Sequence, residues 1–395
     1  WESQIEAAER HNEPGVFTAL IGFEWTSNTN GANLHRVVFQ AEGGDVARQY
    51  IPYSSLESDD PEDLWAWLDT TGERTGATFV AIPHNPNISL GMFFPLIRHN
   101  GERVDEAYAK ERMRWEPVVE TTQIKGDSES HPALSPNDEF ADYEVYDFAL
   151  TPDGTRPEPT EADYVRSGLK RGIELGSSVG VNPYKVGMIG STDSHTGIAA
   201  VEEDNFAGKG QHDNNPEKRS HPTGLGSSKG WDMAAAGYAR GVPMGGDLEL
   251  APGEAPTFLA AVMKDSEGAN LDRVQIIKGW VDADGRSHEW IYDVAVSGGR
   301  TIRDDGRCRE PVGNTVDLGT GRYTNTIGAA ELSVAWTDPD FDPQQPAFYY
   351  VRALEIPTPR YSLLDALALG IDWTETNRPP TIQERVYVSP IWYTP

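Results

Sequence analysis

The stretch Val186-Gly-Met-Ile-Gly-Ser-Thr-Asp-Ser-His-Thr-Gly197 joins a short apolar run to a loop of polar residues. The apolar run stops at Gly190, which favours a buried parallel strand that ends in a loop. In barrels of parallel strands, catalytic residues follow the strand ends. Asp193 and His195 are two positions apart, so in an extended segment their side chains point to the same side and can bind one divalent ion. An acidic loop with a solvated histidine is the alternative that this pair alone leaves open.

The composition of the 395-residue chain restricts its partners. It carries 62 acidic and 33 basic residues, a formal net charge of −29 at pH 7, which argues against nucleic acid or an anionic membrane as a partner. The single cysteine, Cys308, excludes internal disulfides and cysteine-ligated zinc. The sequence has no apolar run near the roughly 18 residues of a membrane span, so we expect no membrane insertion. Strong acidity is typical of salt-adapted and extracellular proteins, and we expect a periplasmic or extracellular location.

Three further apolar segments are predicted to be buried strands, and each adjoins a candidate ligand. The segments are residues 16–23, 34–39 and 78–82. Glu24 follows the first, His35 lies at the start of the second, and His84 follows the third after Pro83. For each residue alone, a solvated glutamate or a histidine without a ligand role is the alternative.

The order of the predicted elements indicates an α/β barrel-like domain, because helical patterns alternate with the strands. We assign residues 1–200 to this domain, residues 201–256 to a loop-rich connection and residues 257–395 to a β-rich C-terminal module. One helix is expected in that module near residues 362–369. Lys125 follows a fourth predicted strand, residues 117–124, where it could hold an anionic group of a substrate; a plain surface lysine is the alternative.

Together the predicted strand ends supply five candidate metal ligands: Glu24, His35, His84, Asp193 and His195. Two carboxylates and three imidazoles suit zinc, manganese or iron better than magnesium or calcium. Two carboxylates can also bridge adjacent ions, and such a site activates water and neutralises an anionic leaving group. The residues therefore predict metal-assisted hydrolysis of a small anionic ester, with Asp193, His195 and Lys125 as catalytic residues.

The same residues resemble a known superfamily. Gly22-Phe-Glu24, the His35 strand, Ile82-Pro-His84 and Ser191-Thr-Asp-Ser-His195 are similar to the later metal motifs of the PHP (polymerase and histidinol phosphatase) superfamily. A longer set of stretches resembles the DUF3604 family of PHP-like proteins: residues 21–26, 122–129, 190–197, 241–247, 274–280 and 383–395. The resemblance implies a distorted (β/α)7 barrel with a centre of two or three divalent ions (Zn, Mn or Fe) bound by the five ligands above. It also implies phosphoester hydrolysis.

Two departures from the PHP pattern lead to further expectations. The His-x-His motif of the first barrel strand has no counterpart here, and the spacing between Asp193-Ser-His195 and Gly241-Val-Pro-Met244 is short. We therefore expect an incomplete barrel that lacks its N-terminal strands, because the chain is either shortened or not ordered there. We also expect exposed apolar surface beside Val16–Glu24 and a chain break or a disordered gap near Gly230–Trp231.

Two other functions stay open. The aromatic-rich C-terminal half suits an inactive PHP scaffold that binds carbohydrate or another surface. A hydrolase of another ester, such as a sulfate ester or a lactone, would use the same metal chemistry. Metal content separates the binding protein from both hydrolases, and a screen of esters separates the hydrolases from each other.

Overall fold

The structure is a computed structural model that describes residues 1–146, 157–195, 200, 202–209, 215–216, 241–251, 253–376 and 378–395. The chain divides into two compact units. The first comprises residues 1–121, 128–136 and 145–186, and the second comprises residues 122–127, 137–144 and 187–395. Gly230 and Trp231, where a break was expected, lie outside the described residues.

The described part of the first unit combines helices with a small antiparallel sheet. The helices are α1 (Glu2–His11), α2 (Gly44–Ala47), α3 (Pro61–Thr75), α4 (Glu106–Trp115) and α5 (Val165–Val179). The strands β1 (Ile21–Trp25), β2 (Arg36–Gln40) and β3 (Phe79–Pro83) form a sheet in that order. A fourth strand, β4 (Val118–Gln123), begins in this unit and ends in the second.

Helix α3 covers one face of this sheet. Leu64 and Leu68 are four residues apart and therefore lie on one side of the helix, where they are fully buried in the same cluster as Trp25 and Val38 of the sheet. This packing fixes one face of the sheet as core, so polar side chains of β1 to β3 belong to the opposite face or to the strand ends.

The (β/α)7 barrel predicted from the sequence is wrong. Strand β2 pairs antiparallel with both β1 and β3, and within the described residues the strands form several small sheets rather than a barrel. Only residues 26–35 connect β1 to β2, which is shorter than the crossover of a dozen or more residues that a parallel pair needs. The apolar surface expected beside Val16–Glu24 is present, because Val16, Phe17 and Leu20 are 76 %, 59 % and 53 % exposed.

The second unit is built mainly from strands. Its largest sheet has the order β10-β9-β12-β16-β7, and β15 also pairs with β12. The strands of that sheet are β7 (Asp247–Leu248), β9 (Leu271–Val281), β10 (Ser287–Val296), β12 (Ala347–Glu355), β15 (Arg385–Tyr387) and β16 (Ile391–Tyr393). The other described strands are β5 (Gly126–Asp127), β6 (Gly187–Gly190), β8 (Thr257–Met263), β11 (Glu331–Thr337), β13 (Thr358–Pro359) and β14 (Thr381–Ile382), and the described α-helix is α6 (Tyr361–Leu369).

The core of the second unit lies between its large sheet and the β8–β11 pair. Alternate residues of β8 are buried, and Phe258 of that strand packs 4.6 Å from Tyr349 of β12, measured between ring centroids. Helix α6 overlaps the helix predicted near residues 362–369 and is followed by Gly370, which adopts the left-handed conformation. Among the described residues, every helix is too short or too polar to cross a membrane.

Candidate metal centre

The antiparallel register of β1 to β3 brings Glu24, His35 and His84 to one end of the sheet. His35 directly precedes β2 and His84 directly follows β3, and the backbone N–H of His84 donates to the carbonyl of His35 at 3.3 Å. Glu24 of β1 pairs with Val37, two residues from His35, so the side chains of Glu24 and His35 lie on the same face as diagonal neighbours.

The ligand atoms of these three residues converge. Glu24 Oε1 is 2.8 Å from His35 Nδ1 and 3.3 Å from His84 Nε2. One ligand atom from each residue lies within 4.8 Å of the other two. The two imidazoles are nearly perpendicular, with ring centroids 5.5 Å apart, so they present different ring edges to the carboxylate.

Local backbone structure holds His84 in place. Strand β3 ends in Pro83, and Asn85 adopts the left-handed conformation with φ 53°, which turns the chain into the short 3-10 helix Pro86–Ile88. The side-chain amide of Asn33 donates to the carbonyl of His84 at 3.2 Å. The turn after Pro83 and the hydrogen bond from Asn33 therefore fix the position of the His84 backbone.

The electrostatics favour an ionised Glu24. Partial burial acts to raise the pKa of this carboxyl, but the close imidazoles of His35 and His84 outweigh it and hold the pKa well below its usual range. Both histidines are buried, whereas the Glu24 side chain is 33 % exposed, so the cluster is open to solvent on the carboxylate side. A carboxylate with two buried imidazoles and one open side is therefore a candidate cation site.

The contact between His35 and Glu24 is short but poorly aligned for a hydrogen bond. Among the described residues, His35 Nδ1 is a buried nitrogen without a well-aligned acceptor, even though Glu24 Oε1 is only 2.8 Å away. The other ring nitrogen, Nε2, is 3.1 Å from Asn28 Oδ1. The ligand atoms of the three residues are close enough together to bind one ion.

The donor set fits a divalent transition metal. Two imidazoles and one carboxylate, with a further position left for water or substrate, form the ligand set of many catalytic zinc sites. Bonds of about 2.0–2.2 Å to an ion require only small movements of side chains that are already this close. Glu24, His35 and His84 would hold the ion.

Asp193 lies in the second unit and contacts two lysines. Lys125 Nζ is 2.8 Å from Asp193 Oδ2, and Lys209 Nζ contacts the same oxygen. Burial acts to raise the pKa of Asp193, but the two ammonium groups lower it below its usual value. Asp193 itself adopts the left-handed conformation with φ 53°, directly after Thr192 in the loop that follows β6.

His195 is positioned by the backbone around Asp193. Its Nδ1 is 2.8 Å from the Asp193 carbonyl, its backbone N–H donates to the Lys209 carbonyl at 2.7 Å, and its side chain is 54 % exposed. The imidazole is 3.9 Å from Asp193 Oδ1. The predicted roles of Asp193, His195 and Lys125 in metal binding and catalysis stay predictions.

Lys209 is a residue that sequence reasoning missed. It lies between two glycines in a segment without hydrophobic periodicity, so no pattern marks it as buried. It is nevertheless only 8 % exposed. Burial and the neighbouring Lys125 lower the pKa of its ammonium group below the usual value, against the opposing attraction of Asp193.

Comparison with known proteins places the chain in a family. Residues 1–239 and 224–395 match the model of the family described as "Protein of unknown function (DUF3604)". Neither the curated proteins nor the solved structures give a match. Because the family match extends over the whole sequence, the chain belongs to the DUF3604 family.

Proposed function

We propose that this protein is a metal-dependent hydrolase of phosphoesters. The observation that carries the proposal is the convergence of Glu24, His35 and His84, whose ligand atoms lie within 4.8 Å of one another. A structural ion pair would also place a carboxylate beside a histidine. Here two buried imidazoles converge on one carboxylate oxygen, which matches the donor set of a metal site.

The residues around the site would each have a defined task. A divalent ion bound there supplies a Lewis acid and lowers the pKa of coordinated water to about 7. His35 and His84 would contribute neutral nitrogen ligands from a buried, rigid sheet end, and Glu24 would contribute the negative charge that offsets part of the ion's charge. The exposed side of Glu24 leaves room for an anionic ester to approach from solvent.

Metal content and turnover of ligand variants test this proposal. The purified full chain would be stripped with a chelator, reloaded with Zn²⁺ or Mn²⁺, and assayed with nitrophenyl phosphate mono- and diesters. We expect Glu24→Gln and His84→Ala to lose both bound metal and turnover. His11→Ala, which removes an exposed histidine of α1, is the matched control and should retain both.

Two results would overturn or redirect the proposal. Full metal content and activity in Glu24→Gln would exclude Glu24, His35 and His84 as the catalytic metal site. Hydrolysis of a nitrophenyl sulfate or a lactone, with none of the phosphate esters, would keep the metal chemistry but change the substrate class. In the same assays, Lys125→Met tests its predicted substrate contact through a higher KM or a lower kcat.

A second candidate function, carbohydrate binding, is favoured by a cleft in the second unit. This open cleft of about 460 Å³ is lined by the aromatic side chains of Trp290, Tyr292 and Trp336, with Asp304 and Asp340 among its polar groups. Aromatic faces can cover the apolar C–H side of a sugar ring, and carboxylates can accept from its hydroxyls.

Affinity electrophoresis in gels that contain soluble glucans or xylan tests this second candidate. Retardation of the wild-type protein, lost in Trp290→Ala and kept in Trp373→Ala, would support binding in the cleft. Trp373 is a matched control because it is also half-buried in the second unit and does not line the cleft. Equal mobility of the wild-type protein in all gels would exclude these polysaccharides.

A further inference from the structure

We propose that Asn28 selects the tautomer of His35 and thereby directs the Nδ1 lone pair of this histidine toward the metal. This inference rests on the proposed function and adds a positioning residue outside the three ligands. Asn28 lies between β1 and β2, immediately before the short 3-10 helix Thr29–Gly31. The backbone N–H of Gly31 donates to the Asn28 carbonyl at 3.0 Å, so the turn holds the residue in place.

Two acceptor oxygens face the imidazole of His35. Its Nδ1 is 2.8 Å from Glu24 Oε1, and its Nε2 is 3.1 Å from Asn28 Oδ1. A neutral imidazole carries a single N–H and can donate to only one of them. With the proton on Nε2, the hydrogen bond to Asn28 forms and Nδ1 presents a lone pair on the side of Glu24.

The alignment of the two contacts favours this tautomer. The distance and direction of the Nε2 contact meet the requirements of a hydrogen bond, whereas the Nδ1 contact fails on direction despite its shorter distance. A lone pair and a carboxylate oxygen this close repel each other unless a cation lies between them. A cation bound by both His35 and Glu24 would remove this repulsion.

The role assigned to Asn28 follows a general feature of metal sites. A ligating histidine usually donates its other N–H to a nearby oxygen, which fixes the ring and strengthens the ligand, and loss of that oxygen costs about 10–100-fold in metal affinity. Asn28 supplies a neutral amide oxygen for this purpose. An aspartate at position 28 could only accept a hydrogen bond, so it should favour the same tautomer of His35.

Calorimetric titration of the full chain with Zn²⁺ alone tests the inference through matched variants. Asn28→Leu keeps a similar volume but removes the acceptor, and we expect roughly 10–100-fold weaker binding. Asn28→Asp should bind Zn²⁺ at least as tightly as the wild-type protein. Asn100→Leu is the control, because Asn100 is an exposed asparagine of the same unit that hydrogen-bonds Glu102. It should leave the affinity unchanged.

A spectroscopic readout separates tautomer control from general support of the fold. Long-range ¹H–¹⁵N correlation spectra of the Zn²⁺-loaded protein report which ring nitrogen carries the proton and which one binds the ion. Comparison with His35→Gln assigns the signal. We expect the Nε2–H form in the wild-type protein and in Asn28→Asp, and a shift of the tautomer ratio in Asn28→Leu.

The outcomes distinguish this inference from the proposed function. An Nδ1–H form in the wild-type protein, or unchanged Zn²⁺ affinity in Asn28→Leu, would overturn the inference while the metal site stands. A wild-type protein that binds no Zn²⁺ would overturn both. If Asn28→Leu does not fold, the wild-type spectrum and the affinity of Asn28→Asp still decide.

Discussion

At the residue scale, burial controls the charge of Glu355 on strand β12. Burial raises the pKa of its carboxyl from 4.5 to about 7, opposed by a hydrogen bond from the Ala269 backbone and by Lys264. The folded protein therefore holds a proton that the unfolded chain releases at lower pH. The stability that this proton provides is complete below pH 4.5 and is lost as the pH rises through 7.

The variant Glu355→Gln should remove this pH dependence. From pH 5.5 to pH 8 the wild-type protein should lose about 2 kcal/mol of unfolding free energy that the variant keeps. Urea denaturation at the two pH values measures the difference. Glu331→Gln, on the exposed edge of β11, serves as the control, and an equal response of both variants would refute the assignment.

The candidate metal centre was partly predictable residue by residue. Glu24, His35 and His84 each adjoin an apolar run, so sequence reasoning could single them out, and the structure brings these three together. Asn28 and Lys209 carry no such signal. The role of the Asn28 side chain depends on its contact with His35, which the sequence does not show. A lysine in a glycine-rich loop, such as Lys209, is expected to be exposed to solvent.

At the element scale, hydrophobic patterning predicted individual elements better than their pairing. Strands β1 to β4 all overlap the predicted strands, and helix α6 overlaps the helix predicted near residues 362–369. Alternation of strands and helices was wrongly extended to a parallel barrel. The short connection between β1 and β2 argues against a parallel pair, because it has no room for a crossover helix.

Helix α3 offers a direct test of a local sequence signal. The side chain of Asp60 accepts from the backbone N–H of Glu62 at 3.0 Å and caps the helix, while Pro61 occupies the first turn. Asp60→Ala should lower the free energy of unfolding by about 1 kcal/mol, and Asp60→Asn by much less.

Chemical denaturation of these variants measures the cap. Glu73→Ala, on the exposed side of the same helix, should change stability by no more than about 0.5 kcal/mol. Equal effects of Asp60→Ala and Asp60→Asn would mean that the cap contributes nothing.

At the scale of the whole molecule, charge repulsion opposes the compact state. The net charge of −29 leaves many carboxylates without a basic partner at the surface. The screening length falls from about 30 Å at 0.01 M salt to about 8 Å at 0.15 M. We therefore expect the thermal midpoint to rise over this range of sodium chloride concentration.

A sugar solution of equal osmolarity is the control for this measurement, since it does not screen charge. A thermal midpoint that falls with salt would show that surface ion pairs, such as that between Arg48 and Glu2, outweigh the net repulsion.

Anomalous diffraction at the zinc edge shows whether Glu24, His35 and His84 bind a divalent metal. Crystals of the full chain soaked in Zn²⁺ should show an anomalous peak about 2.0–2.2 Å from His35 Nδ1, His84 Nε2 and a carboxylate oxygen of Glu24. The peak should be absent from crystals of Glu24→Gln. Zinc bound only by other residues, with no peak among these three, would mean that Glu24, His35 and His84 do not form a metal site.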